Sequence, residues 1–82
     1  MRNNQTFTAQ ELQGEARSTI EAAGETQSSV ARMLGVTRNA IHLALNTDTP
    51  SRYIRILGRI IATLTDYEIE AEARYRAVRK RK

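Results

Sequence analysis

The sequence has no cysteine and no tryptophan, and it contains a single proline and a single histidine. Without cysteine there is neither a disulfide framework nor a thiolate metal site. This excludes a small secreted disulfide scaffold and favours a reducing compartment. No apolar run exceeds a few residues, so the sequence predicts no membrane span and no signal-peptide core.

Groups that carry catalysis are also scarce. The chain has no paired carboxylates at catalytic spacing, no nucleophile–base arrangement and no phosphate-binding loop. His42 has no cysteine and no second histidine with which to hold a metal ion. We therefore expect a protein that is not an enzyme and that takes no cofactor, metal or small-molecule ligand.

The 82 residues are 40% hydrophobic and 27% charged, which is typical of one folded domain with a modest core, spanning residues 1–82. The net charge of +4 is uneven: six of the thirteen basic residues lie in the last nine positions. Residues 1–73 hold seven basic and nine acidic groups, a net charge of −2. The end of the chain is either a phosphate-binding tail or a solvated segment that promotes solubility, and its residues are Arg79, Lys80, Arg81 and Lys82.

Apolar spacing and end signals predict four helices, at about residues 9–23, 27–34, 38–45 and 50–64. Thr8 and Glu11 are placed to form a capping box, with Phe7 and Leu12 as its hydrophobic staple. Three more threonines are expected at N-cap positions, and three residues are expected to end helices in the left-handed conformation: Thr26, Thr37 and Thr49, and Gly24, Gly35 and Asn46.

Residues 67–78 alternate between apolar and mostly charged side chains, which predicts a β-strand with one buried face. Their alanine, glutamate and arginine content favours a helix as the alternative. A single strand has no partner within the chain, so we expect it to pair antiparallel with a second copy around Ala73. Glu68, Glu70 and Glu72 would then approach Arg76 and Arg74 of the second copy. The expected fold is mostly α, with four helices, a C-terminal dimerisation strand and a basic tail.

Residues 27–45 meet the requirements of a helix-turn-helix. Ala31 is small where the two helices cross, Gly35 permits positive φ in the turn, and Val36 fills the turn. Ala40, Ile41 and Ala44 are placed to pack back on the first helix of the pair. The outer face of the second helix is expected to be free of apolar residues and able to enter a major groove.

The segment from Gln27 to Leu45 resembles the Cro-like helix-turn-helix of the phage Cro/repressor family. The resemblance does not extend to residues 50–82. It implies a repressor-like transcriptional regulator that binds a palindromic operator in double-stranded DNA as a homodimer, in the cytoplasm of a bacterium or phage-infected cell. The matching positions are Gln27, Ala31, Leu34-Gly35-Val36, Ala40-Ile41 and Ala44.

Within this frame, the N-terminal part of the second helix reaches base edges. Arg38 suits guanine, and Asn39 either pairs with adenine or only supports the cap formed by Thr37. Thr37 either contacts a base or only caps the helix, and His42 either contacts DNA or faces solvent. Gln27 lies at a helix N-terminus that favours phosphate, a role that the resemblance also implies. The other candidate phosphate contacts are Ser28, Asn46 and Arg52.

Two other functions remain open. One is a protein-interaction or antitoxin-like module in which DNA binding is secondary. The other is RNA binding through the basic tail, which the lack of an aromatic stacking platform disfavours.

Overall fold

Four α-helices precede a small antiparallel sheet in the computed structural model, which describes residues 1–71 and 74–81. The helices are α1 (Ala9–Ala22), α2 (Gln27–Leu34), α3 (Arg38–Asn46) and α4 (Ile54–Leu64). A 3-10 turn, Pro50–Tyr53, leads into α4. The strands are β1 (Thr6–Phe7), β2 (Tyr67–Ala71) and β3 (Tyr75–Arg79). The mostly helical fold with a β C-terminal segment is therefore confirmed.

Threonine caps start the first three helices as predicted. Thr8 and Glu11 form the capping box of α1: the Thr8 hydroxyl accepts from Glu11 N at 3.1 Å, and Glu11 Oε1 accepts from Thr8 N at 2.8 Å. The bond from the Thr8 amide lowers the pKa of Glu11 below its ordinary value. Thr26 forms a second box with Ser29, and the Thr37 hydroxyl accepts from Ala40 N at 3.1 Å.

Two predicted helix ends are wrong. Asn46 belongs to α3, and the next residue, Thr47, is extended rather than left-handed. The Asn46 side chain instead donates to the His42 carbonyl at 2.8 Å. Thr49 makes no side-chain cap; its hydroxyl lies 3.0 Å from the Thr47 hydroxyl. The helix therefore begins as a 3-10 turn at Pro50.

The C-terminal segment is two strands rather than one. Tyr67–Ala71 and Tyr75–Arg79 pair antiparallel within the chain, with Ile69 opposite Ala77. The prediction of a single strand at 67–78 is therefore wrong, because Tyr67–Ala71 pairs with Tyr75–Arg79 of the same chain and not with a second copy. Glu70 lies opposite Arg76 and forms a 2.6 Å ion pair with it, so the charge matching expected between copies occurs within one chain. The expectations for Glu72, Ala73 and Lys82 lie outside the described residues.

The N-terminal residues cover the other edge of β3, which gives the strand order β1-β3-β2. Asn4 N donates to Ala77 O at 2.7 Å, and Ala77 N donates to Gln5 O at 2.8 Å. β1 is not predicted from the sequence, because a strand of two residues is too short to produce an alternating pattern.

The core lies between α4, the sheet and the other helices. Leu57, Ile60 and Ile61 of α4 are fully buried, and Ala77 of β3 is buried on the same core. Leu12 of α1 and the apolar faces of α2 and α3 complete it. The helix-turn-helix is thus supported from behind by α1 and α4.

The left-handed backbone of Gly35 allows a test of the turn between α2 and α3. It adopts φ 71°, whereas Gly14 lies in the middle of α1, and an added Cβ would meet nothing within 4 Å at either position. We expect Gly35→Ala to destabilise the protein by about 1–2 kcal/mol through left-handed strain alone. Gly14→Ala, the matched control, should stabilise it by about 0.5–1 kcal/mol. Urea unfolding measures both, and an unaffected Gly35→Ala variant would contradict the turn.

Candidate nucleic-acid interface

The turn between α2 and α3 has the geometry that the sequence predicts. Gly35 is left-handed, and Val36 N donates back to Ala31 O at 3.0 Å, which closes the end of α2. Ala31 is buried, and Val36 packs on the core. Ile41 and Ala44 are fully buried, so the opposite side of α3 faces outward.

The outward side of α3 is one continuous arc. At 3.6 residues per turn its five exposed residues span about 140° of the helix circumference. Four are polar, but Leu43 is 43% exposed, so the expectation that this face carries no apolar residue is wrong. We call this surface the α3 arc; its residues are Arg38, Asn39, His42, Leu43 and Asn46.

The predicted base-contacting residues differ in how far they are already engaged. Within the described residues, the Arg38 and Asn39 side chains make no hydrogen bond or ion pair, so both are available to a ligand. Thr37 is exposed but already accepts from Ala40 N, in agreement with the capping interpretation. The ring Nδ1 of His42 lies 3.3 Å from Asn46 Nδ2, and the ring is exposed.

Two side chains of α1 hold the C-terminal end of α3. Gln13 Nε2 donates to the carbonyls of Ala44 and Thr47 at 3.0 and 2.9 Å. Arg17 donates to the Leu45 carbonyl and lies 3.5 Å from Asn46 Oδ1. These bonds satisfy carbonyls that a helix leaves unpaired at its end. They fix α3 relative to α1, a role that sequence analysis missed; the only available signal was the i, i+4 spacing of Gln13 and Arg17.

At the N-terminus of α2, Gln27 is half-buried and Ser28 is exposed. Gln27 Oε1 is buried without a hydrogen-bond partner in the described part of the chain. The depression beside it is lined by Arg17, Glu21 and Glu25 among others, so both signs of charge are present there. Free amides at this helix end favour a phosphate, whereas the two carboxylates oppose one.

Charge is distributed in favour of a polyanion along the helix-turn-helix itself. Residues 26–47 contain Arg32 and Arg38 and no acidic residue. Arg52, predicted to contact phosphate, is exposed in the 3-10 turn after α3. The acidic residues of α1 and β2 lie outside this stretch.

Two residues of the predicted basic tail, Arg79 and Lys80, contact the rest of the fold. Arg79 ends β3, donates to the Tyr67 hydroxyl at 3.2 Å and stacks on its ring with the guanidinium carbon 5.5 Å from the centroid. Lys80 donates to the Ala62 carbonyl and, at 2.8 Å, to the Thr65 carbonyl at the end of α4. Both residues are exposed, yet their side chains are engaged by the fold and not by solvent alone. Arg81 is exposed.

Lys80 and Arg81 therefore make a matched pair for a stability test. Lys80→Ala should lower the free energy of unfolding by about 0.3–1 kcal/mol, because a cation at a helix C-terminus is lost. Arg81→Ala should change it by less than about 0.5 kcal/mol. Urea unfolding of the two variants measures the difference, and equal effects would contradict the structural role of Lys80.

Three kinds of comparison found no relative: no protein-family model, no curated protein and no solved structure matches the chain. Among the described residues, no cluster of three or more histidine or acidic side chains is placed to hold a metal ion. Over the same residues, no helix has the length and apolar character needed to cross a membrane.

Proposed function

We propose that this protein is a sequence-specific transcriptional regulator that places α3 in the major groove of double-stranded DNA. The observation that carries the proposal is the α3 arc, whose Arg38 and Asn39 are exposed and without partners in the described chain. The resemblance of residues 27–45 to the phage Cro/repressor family also supports it. We place this activity in the cytoplasm of a bacterium or phage-infected cell.

The chemistry of the α3 arc suits base edges. An arginine can donate two hydrogen bonds to guanine O6 and N7, and an asparagine can pair with adenine N6 and N7. Arg38 and Asn39 are the first two residues of α3, the end that reaches the bases in helix-turn-helix proteins. His42 follows one turn after Arg38 and extends the same surface. Thr37 is left with its hydroxyl proton as a donor to DNA, since its oxygen already caps the helix.

Phosphate contacts would position this surface on the duplex. We assign them to Gln27 and Ser28 at the start of α2, to Arg52 after α3, and to Arg81. Asn46 is the weakest candidate, because its amide nitrogen already donates to His42 O. Arg79 and Lys80 are not assigned to phosphate, because the fold already uses both side chains.

Arg38 provides the direct test. Sites should first be selected from random duplex DNA with the unaltered chain, which we expect to enrich a palindrome. Arg38→Ala should then lose about 1–3 kcal/mol of discrimination at one position per half-site, roughly 5- to 150-fold, because the bidentate contact is lost. Titration of labelled duplexes by fluorescence anisotropy measures the loss.

Arg55→Ala is the matched control. Arg55 is an exposed arginine that lines the groove between α4 and β2 and is not part of the α3 arc. Its removal lowers the charge equally but should leave base preference unchanged. If both variants lose affinity equally on all sequences, α3 does not read bases. If no site is enriched at all, the protein-interaction module becomes the better hypothesis.

We further propose that two copies bind together on the palindrome. Half-sites of helix-turn-helix dimers lie about 34–36 Å apart, one turn of the duplex. The sheet has two edge strands, β1 and β2. β1 is only two residues long, so the outer edge of the five-residue β2 is the longer edge without a strand partner among the described residues. Lys80 N donates to Asp66 O, so the backbone amides of Glu68 and Glu70, at alternate positions, face β3. The amides of Ile69 and Ala71 therefore point towards the outer edge of β2.

The β2 edge is poorly suited to pair with itself at neutral pH. Glu68 and Glu70 lie on the exposed side of the strand. A continuous sheet formed by antiparallel pairing around Ile69 would place Glu68 opposite Glu70 of the second copy. Pairing around Glu70 would place that residue opposite itself. Like charges directly opposite are destabilising, so we expect assembly to depend on DNA.

Glu68→Lys tests this arrangement. We expect the unaltered chain to sediment as a monomer at micromolar concentration, and two copies to bind one selected operator. Lys at position 68 would face Glu70 of the second copy twice, so the variant should dimerise roughly 2- to 30-fold more tightly. Glu21→Lys makes the same charge change on the exposed side of α1 and should leave dimerisation in the absence of DNA unchanged. Equal behaviour of the two variants would exclude the β2 edge as the contact.

A further inference from the structure

Leu43 is an apolar side chain in an otherwise polar surface. It is 43% exposed in the second turn of α3, at one end of the α3 arc, where its neighbours at i−4 and i+3 are Asn39 and Asn46. Asn39 lies four residues earlier, so the two side chains are neighbours on one face of the helix. Met33 on α2, 49% exposed, is the other large apolar side chain exposed in the described residues.

Building on the proposed function, we propose that Leu43 reads the 5-methyl group of a thymine in each half-site. Leucine has no hydrogen-bond donor or acceptor, so it cannot read the polar edges of guanine, adenine or cytosine. Thymine alone among the four bases presents a methyl group in the major groove, and apolar side chains recognise it by contact. A side chain on the groove-facing surface with this chemistry therefore selects thymine.

The geometry also gives the position of the thymine. Side chains four residues apart on a helix have Cβ atoms about 5–6 Å apart, and base pairs are spaced about 3.4 Å along the duplex. The thymine should therefore lie about one or two base pairs from the base read by Asn39. Leu43 and Asn39 together favour an A·T-containing segment in each half-site.

A protein partner is the alternative occupant of Leu43, and the surroundings disfavour it. Docking surfaces are contiguous apolar patches, whereas singly exposed apolar residues are ordinary on protein surfaces. Leu43 is bordered on the α3 arc by the amides of Asn39 and Asn46, groups that bind base edges or phosphates. A lone methyl contact among polar contacts fits a groove better than it fits a protein interface.

Uracil substitution isolates the methyl group, because uracil differs from thymine only at that position. Thymines of the selected operator should be replaced by uracil one symmetric pair at a time, and affinities measured for the unaltered chain, Leu43→Ala and Met33→Ala. Loss of one buried methyl group should weaken the unaltered chain about fourfold per half-site at a single position. Leu43→Ala should bind the thymine and uracil duplexes equally, and Met33→Ala should discriminate as the unaltered chain does.

The possible results separate failure of the thymine contact from failure of the proposed function. If uracil has no effect on the unaltered chain at any position, or an equal effect on Leu43→Ala, Leu43 does not read thymine although the protein still binds DNA. If the unaltered chain selects no operator, the proposed function fails first. Circular dichroism on Leu43→Ala checks folding, which should be intact because the side chain is exposed.

Discussion

The packing of α2 and α3 against α1 and α4 is the constraint on which the rest of the structure depends. With eight and nine residues, neither helix would be stable alone in water. Apart from the exposed Met33 and Leu43, their large apolar residues pack on a core whose largest fully buried members include Leu57, Ile60 and Ile61 of α4. The outward direction of the α3 arc is therefore a property of the whole domain, because α3 can turn only if this core is rearranged.

Side-chain donors from neighbouring elements strengthen the same packing at the helix ends. Arg59 of α4 donates to Leu34 O at the end of α2 at 2.6 Å, Gln13 and Arg17 serve the end of α3, and Lys80 serves α4. Each supplies a donor to carbonyls that the helix leaves unpaired, and three of the four place a positive charge at the negative end of the helix dipole. The basic residues therefore form two groups. One group is engaged by the fold, and the other, which includes Arg38 and Arg52, remains available to a polyanion.

The sheet shows that a sequence pattern can predict strand correctly and still predict the wrong partner for that strand. Alternation at 67–78 correctly indicated strand at Tyr67–Ala71 and from Tyr75 onward, and a match of Glu70 with Arg76 was expected between two copies. The match is made inside one chain, because the segment reverses and pairs with itself, and the N-terminal residues take the far edge of β3. What remains exposed is the edge of β2 with its glutamates, and charge of that kind discourages strand pairing between copies. The interaction predicted to join two copies thus contributes to the fold of one.

Local chemistry determined much of this protein without reference to the fold. Thr8, Thr26 and Thr37 start their helices because each hydroxyl satisfies an amide only three residues away, and Gly35 ends α2 because few other residues tolerate positive φ. These short-range rules also placed Arg38 and Asn39 on the outward face of α3. Partners distant in the chain were decided only by tertiary structure. Gln13 and Arg17 meet α3 across about 30 residues, Lys80 reaches α4, and β1 exists because β3 offers it an edge. The i, i+4 spacing of Gln13 and Arg17 puts both on one face of α1 but does not name their partner, and Lys80 and β1 have no local signal, since each contact depends on which surfaces the core brings together.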